Sequence, residues 1–214
     1  MIGLMAWHNQ KITNTNAYIT NLLPEFNMNH AIAQLANKLA EIKIKPRVLI
    51  IGAGRSGSGA YHVLKRFDIH ATVWTREHTH TRTSAFFTEI LNYDILLNCI
   101  NLSEEIEPFI TSPMLVIPHR KLSVCVDISC DYTSAYNPLP IYTTGTTFDN
   151  VTYPLITTDP VLDIIAIDNL PSYLPLVSSI NFANQLYDLL LELEWSPVWM
   201  RARARFVEVC ERVD

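Results

Sequence analysis

Six consecutive residues carry the chemistry that is easiest to read in this chain: Gly52-Ala53-Gly54-Arg55-Ser56-Gly57, a G-x-G-x-x-G spacing. Glycine at the first position permits a tight turn. Glycine at the second lets backbone N–H groups approach a pyrophosphate, and glycine at the third lets a helix pack closely on a strand. A helix starting here would also turn the positive end of its dipole toward the phosphate charge. The spacing alone is weak evidence, so the flanking elements decide what it means.

Those elements fit a nucleotide cradle. The run Arg47-Val48-Leu49-Ile50-Ile51 reads as a short, almost wholly apolar strand of the kind found at the centre of a parallel sheet. After the glycines, Gly59 to Phe67 has helical periodicity through Ala60, Val63, Leu64 and Phe67, and Ala71 to Trp74 supplies a second strand. Together they form a βαβ unit of about 30 residues, the setting that gives the glycine spacing its force. Apolar runs at Ile95 to Cys99, Leu122 to Ile128 and Ile164 to Ile167 predict further strands, each ending in polar residues where an open parallel sheet exposes its ligand edge. The expected fold is α/β and Rossmann-like, a mostly parallel doubly wound sheet flanked by N- and C-terminal helices. A single NAD(P)-binding domain would occupy residues 1–214, with a helical lead-in at 1–45, an α/β core at 46–170 and C-terminal helices at 171–214.

In the lead-in, residues 1–11 read as apolar helix and Lys11 to Asn16 as surface loop. A second helix is expected from Asn29 to Ile42, with Asn27 or Asn29 as its cap. The apolar start, Ile2, Leu4, Met5 and Trp7, requires either a partner surface or a helix folded back on its own domain. Residues 138–158 read as irregular loop with short extended pieces. Helices are expected from Ile180 to Leu193 and from Pro197 to Val213, with Trp195 and Trp199 packing in the core.

The second strand closes with Trp74-Thr75-Arg76-Glu77. NAD-preferring folds place an acidic residue at this point for the adenosine ribose. Thr75 stands there instead, and Arg76 could accommodate a 2′-phosphate, so NADP is open beside NAD. The 49% hydrophobic content supports a buried core, and the net charge of −5 disfavours nucleic acid as a partner. Four scattered cysteines without a CxxC pair argue against zinc and against a disulfide framework. No stretch reaches the ~20 apolar residues of a membrane span, and the start lacks a signal-peptide pattern, so a cytoplasmic protein is expected. His78 and His80 lack a third ligand at usable spacing and read as surface loop, with no metal expected.

Beyond the glycine loop, the segments VLIIGAGRSGSGA (48–60), DILLNCINLSEEIEPF (94–109), VDISCDYTSAYNPLPIY (126–142), IDNLPSYLP (167–175) and SPVWMRARARF (196–206) together resemble the lysine-forming, NAD-dependent saccharopine dehydrogenases of the α-aminoadipate route of lysine biosynthesis. The resemblance extends from about residue 46 to 213, in the same order. It implies an oxidoreductase acting on a CH–NH bond: hydride passes from the secondary-amine carbon of saccharopine to NAD, and water cleaves the resulting imine to L-lysine and 2-oxoglutarate. It further implies that Gly52, Gly54, Arg55 and Gly57 meet the cofactor phosphates, that Thr75 and Thr79 lie near the adenosine ribose, and that Asn101 lies near the cofactor at the next strand end. Ile128 would line the nicotinamide side, Ser129, Cys130 and Asp131 the substrate, and Ile167, Asp168, Asn169 and Leu170 the cofactor's far wall.

Three departures from the family pattern stand out. Thr75 replaces the usual aspartate, and Ser56 replaces a cysteine that in some members can pair with the equivalent of Cys99. The family's catalytic lysine and histidine belong to an N-terminal domain that would precede Met1, so no residue here is assigned to that role. A separate polypeptide carrying that half is an implied partner. Two alternatives stay open: a non-catalytic dinucleotide-binding module, and a carboxynorspermidine-type dehydrogenase coupling a different amine and keto acid.

Overall fold

The computed structural model describes residues 1–79, 87–100, 102, 105–193 and 196–211. Its centre is a six-stranded sheet: β1 (Val48–Ile51), β2 (Ala71–Trp74), β3 (Ile95–Asn98), β4 (Val124–Asp127), β5 (Tyr153–Ile156) and β6 (Leu162–Ile165). The spatial order is β2-β1-β3-β4-β6-β5, and every neighbouring pair is parallel except β5 with β6. The chain steps from β1 outward to β2 and then returns to the other side of β1 for β3. This reversal opens a crevice outside the carboxyl ends of β1 and β3, where ligands bind in open α/β sheets.

Side-chain alternation explains why β1 is central. Val48 and Ile50 enter one core cluster and Leu49 and Ile51 the other, so both sheet faces are buried and all four residues are apolar. The first cluster takes in α1 (Ile2–Thr13), whose Ile2, Leu4, Ala6 and Trp7 are buried together with Ile95 and Val126. The apolar start is therefore satisfied by its own sheet. α1 also runs further than its polar composition suggests, through Lys11 to Thr13, and ends where Asn14 adopts a left-handed conformation (φ 55°). α2 (Met28–Ala40) is capped by Asn27, whose side chain accepts from the N–H groups of Asn29 and His30. α3 (Arg55–Arg66) follows the glycine loop. The second cluster is built on Trp74, Phe87, Phe109, Leu122 and Leu139, with Phe87 and Phe109 edge-to-face at 5.1 Å.

A buried carboxylate ties the lead-in to the sheet. Asp163, second residue of β6 and fully buried, accepts from Gln10 Nε2 (2.7 Å), Asn16 Nδ2 (2.9 Å) and the Ala17 N–H (2.7 Å). Residues 138–158, expected to be mostly irregular, contain β5. Pro154 sits in it without penalty because β5 is an edge strand, and the register shifts between Pro154 and Ile156. The C-terminal helices both end earlier than the apolar pattern indicates, and the first also starts earlier: α5 is Pro175–Leu191, and α6 is Pro197–Cys210, beginning at Pro197 as expected. Neither carries a buried residue. Trp199 is half-buried and donates from Nε1 to the Leu189 carbonyl (2.7 Å), so it joins the two helices and does not enter the sheet core; Trp195 lies outside the described residues. No helix among the described residues is long and apolar enough to cross a membrane.

Candidate functional site

The glycine loop leaves β1 at Gly52, with φ 105°, a backbone conformation that favours glycine. Its N–H donates to the Trp74 carbonyl at 2.8 Å, drawing the loop to the end of β2. A Cβ on Gly57 would lie 1.8 Å from the Gly52 carbonyl oxygen, so only glycine lets α3 begin this close to the strand. Gly54 has nothing within 4 Å of where its Cβ would be, and it is the N-cap of α3 with no side chain closing the helix end. The start of a 12-residue helix is thus exposed at the carboxyl end of β1, with no side chain capping it. That arrangement fits a pyrophosphate, by hydrogen bonding and by the helix dipole. Arg55 and Ser56 are exposed beside it.

At the end of β2, Thr75 is half-buried; its N–H donates to His78 Nδ1 at 3.1 Å and its hydroxyl lies 3.0 Å from the same nitrogen. α4 (Arg76–Thr79) follows at once, and the buried Thr79 returns its hydroxyl to the carbonyls of Thr75 (3.5 Å) and Arg76 (3.4 Å). His80 and Asn101 lie outside the described residues.

The Ser129–Asp131 segment, expected to meet substrate, is held by a polar network that the sequence pattern alone did not single out. β3 and β4 each close on a buried polar residue, Asn98 and Asp127, directly opposite one another in the parallel register. Asp127 Oδ1 accepts from Asn98 Nδ2 (2.9 Å), the Ser129 N–H (3.1 Å) and the Ser129 hydroxyl (2.8 Å). Its Oδ2 accepts from the Tyr142 hydroxyl at 2.6 Å. The signal that could have found them is an apolar run ending in a polar residue, twice, at the ligand edge of a sheet. Asn98 Oδ1 is buried and meets no donor among the described residues.

Around this hub the chain turns sharply. Ile128 N–H donates to the Asn98 carbonyl (2.9 Å), Cys130 takes a left-handed conformation (φ 54°) with its thiol donating to the Asp127 carbonyl (3.2 Å), and the Asp131 carbonyl accepts from Ser134 N–H (2.9 Å). Burial, followed by the charges of Asp127, Asp168 and Asp131, pushes the Cys130 thiol up to about 12. Asp168 therefore lies in the electrostatic neighbourhood of the Ser129–Asp131 turn, although the two are far apart in sequence. Cys99 is likewise pushed up to about 12 by burial and then by Asp127. Both thiols stay protonated near neutrality and are poor nucleophiles. Cys99 is free, as Ser56 requires. Tyr142 is raised well above its ordinary value by burial first and then by its bond to Asp127, which keeps it a donor.

Beyond β6, Ile167 is buried, Leu170 is half-buried, and Asp168 and Asn169 are exposed, with Asn169 Nδ2 3.4 Å from the Ser172 hydroxyl. The glycine loop, the Thr75 turn, the Ser129–Asp131 turn and the Ile167–Leu170 segment all follow carboxyl ends of parallel strands, so the sheet topology brings them to one edge.

No protein-family model matches the chain. Among curated proteins it is 38% identical to a saccharopine dehydrogenase (NAD(+), L-lysine-forming) of Yarrowia lipolytica, over 96% of this chain and 58% of that protein. It is 44% identical to one of the same name from Neurospora crassa, over 76% of this chain and 46% of that protein. A third, from Schizosaccharomyces pombe, is 41% identical over 78% of this chain and 48% of its own length. The chain spans about half the length of the curated relatives it matches.

Proposed function

Because the chain is a sequence relative of the NAD(+), L-lysine-forming saccharopine dehydrogenases, we propose that it supplies the dinucleotide-binding side, and one wall of the substrate cleft, of an oxidoreductase of that type. The observation that carries this reading is the uncapped N-terminus of α3 over open space at the crevice between β1 and β3, on the sheet edge that also holds the Ser129–Asp131 turn. Bound there, NAD would supply the hydride acceptor for oxidation of the amine-bearing carbon of saccharopine, and hydrolysis of the resulting imine would give L-lysine and 2-oxoglutarate.

The chain's own residues divide the work of binding and orientation. Gly54, Arg55 and Gly57 would hold the pyrophosphate through backbone N–H groups and one exposed guanidinium, while Gly52, whose own N–H is bonded to the Trp74 carbonyl, makes the turn that positions them. Thr75 and Thr79 border the adenosine ribose, and Asn101 is assigned to the neighbouring cofactor contact. Ile128 and Ile167 give apolar walls that exclude water from the hydride path, with Asp168, Asn169 and Leu170 at the far side. Ser129, Cys130 and Asp131 face substrate, and the bonds from Asp127 to Ser129 fix where that turn lies. Residues 46–170 form the nucleotide-binding unit, with 1–45 as its lead-in.

Proton transfer is assigned to a lysine and a histidine of the half that the relatives possess outside the matched span, a partner to this unit on the same chain or on another. The apolar residues of α5 and α6 support such a partner: Phe182, Leu191, Met200 and Phe206 are each at least 66% exposed on helices that bury nothing against the sheet. The free cysteines accord with work in the reducing cytoplasm.

The test is a fluorescence titration of the purified chain with NADH, followed by NADH oxidation with L-lysine and 2-oxoglutarate, with and without the complementary half of a relative. Saturable binding that Gly57→Ala abolishes, and turnover once the second half is added, is the expected result. A folded chain that binds neither NADH nor NADPH would sink the proposal; binding without turnover in any combination would leave a dinucleotide-binding module.

A further inference from the structure

We propose that the carboxyl end of β2 tolerates a 2′-phosphate on the adenosine ribose, so that this chain binds NADPH as well as NADH. The inference rests on the dinucleotide reading of the glycine loop and concerns one end of that site. Where a site is specific for NAD, a carboxylate at the end of the second strand accepts hydrogen bonds from the ribose hydroxyls and repels a phosphate in their place.

Here the strand end has a different chemistry. The Gly52 N–H bond to Trp74 brings β2's last residue to the loop, and the next residue is the neutral Thr75. Its polar groups are both engaged by one ring: the N–H donates to His78 Nδ1 at 3.1 Å, and the hydroxyl lies 3.0 Å from that nitrogen. An Nδ1 that accepts a backbone N–H carries no proton, which leaves the ring's N–H on Nε2. The ring therefore offers an N–H donor away from Thr75, a group that complements a phosphate oxygen and cannot repel it.

The charges around this turn do not restore the missing carboxylate. Thr79 closes the turn through its hydroxyl to the Thr75 and Arg76 carbonyls, and the exposed Arg76 and Glu77 sit side by side on it with opposite sign. The turn carries no net negative charge, and the position that meets the ribose in NAD-specific folds is uncharged.

Thr75→Asp isolates the effect. The site is at a half-buried strand end, so the change leaves the core of the sheet untouched, and circular dichroism of the variant checks its fold. Dissociation constants for NADH and NADPH are measured on the full chain by nicotinamide fluorescence and by calorimetry, at fixed pH and salt. The wild-type chain is expected to bind the two within about tenfold of each other, and Thr75→Asp to weaken NADPH by at least about tenfold relative to NADH. His78→Ala, which removes the outward donor, is expected to weaken NADPH more than NADH. Tight NADH binding with NADPH weaker by more than about a hundredfold would overturn the inference while leaving the dinucleotide reading intact. Binding of neither cofactor to the folded chain would overturn both.

Discussion

Replacing Tyr142 by phenylalanine removes one oxygen and leaves the ring that packs against Tyr132 at 5.7 Å. The lost bond is short, 2.6 Å, and its acceptor is a fully buried carboxylate. Hydrogen bonds to charged groups contribute about 1.5–3 kcal/mol, and Asp127 Oδ2 would be left without the donor it faces in a site closed to water. The expected destabilisation is therefore about 2 kcal/mol, with the upper end near 3 kcal/mol because the buried acceptor is not resolvated. For a chain of this size each kcal/mol moves the thermal midpoint by roughly 2–4 °C, which gives a fall of about 4–8 °C. Differential scanning calorimetry of wild type and Tyr142→Phe at pH 7 measures it, and urea unfolding gives the free-energy difference directly. Because Asp127 also holds Ser129, cofactor binding at the glycine loop should change less than stability does. A shift under 1 °C would refute the reasoning: it would mean that Asp127 is satisfied by Asn98 and Ser129 alone.

Asp163→Asn should be more damaging. The amide nitrogen would face one of three donors that the carboxylate now accepts from, Gln10, Asn16 and Ala17, and a loss of about 3–5 kcal/mol by urea unfolding is expected, with release of residues 10–17 detectable by hydrogen exchange. Stability should also fall in alkali. Burial pushes Cys125 from 9.0 up to about 12, so the native state holds a proton that the unfolded chain gives up; its contribution is complete below about pH 9 and is lost as pH rises toward 12, at about 1.4 kcal/mol per pH unit. Urea midpoints from pH 8 to 11 should decline, and Cys125→Ala should make the decline shallower, leaving the share that Cys99 and Cys130 contribute.

Much of the βαβ unit is legible in the sequence. Val48–Ile51 is continuously apolar because both faces of β1 are covered, and glycine at 52 and 57 is dictated by a positive φ and by a contact that no Cβ could survive. Local rules of this kind act within a few residues, so they are written in the local sequence. The same holds for Asn27 as a cap and for Thr75 at the end of β2. Element ends were less legible: β5 hides in a Thr- and Pro-rich stretch because an edge strand needs only one partner, supplied by β6.

The sequence by itself determined the βαβ unit, the glycine loop and the absence of a carboxylate at Thr75, since each depends on residue type and near spacing. Only the tertiary structure decided what the buried carboxylates do. Asp127 meets Tyr142 and Asn98, and Asp163 meets Gln10 and Asn16, across separations of 15 to 153 residues, and a carboxylate's burial is tolerable only when such distant donors arrive together. The fate of the two apolar ends was decided there as well. Ile2, Leu4 and Trp7 fold back on the sheet and join its core, while α5 and α6 bury no residue and keep apolar side chains exposed, because burial depends on which distant surfaces meet and not on local pattern.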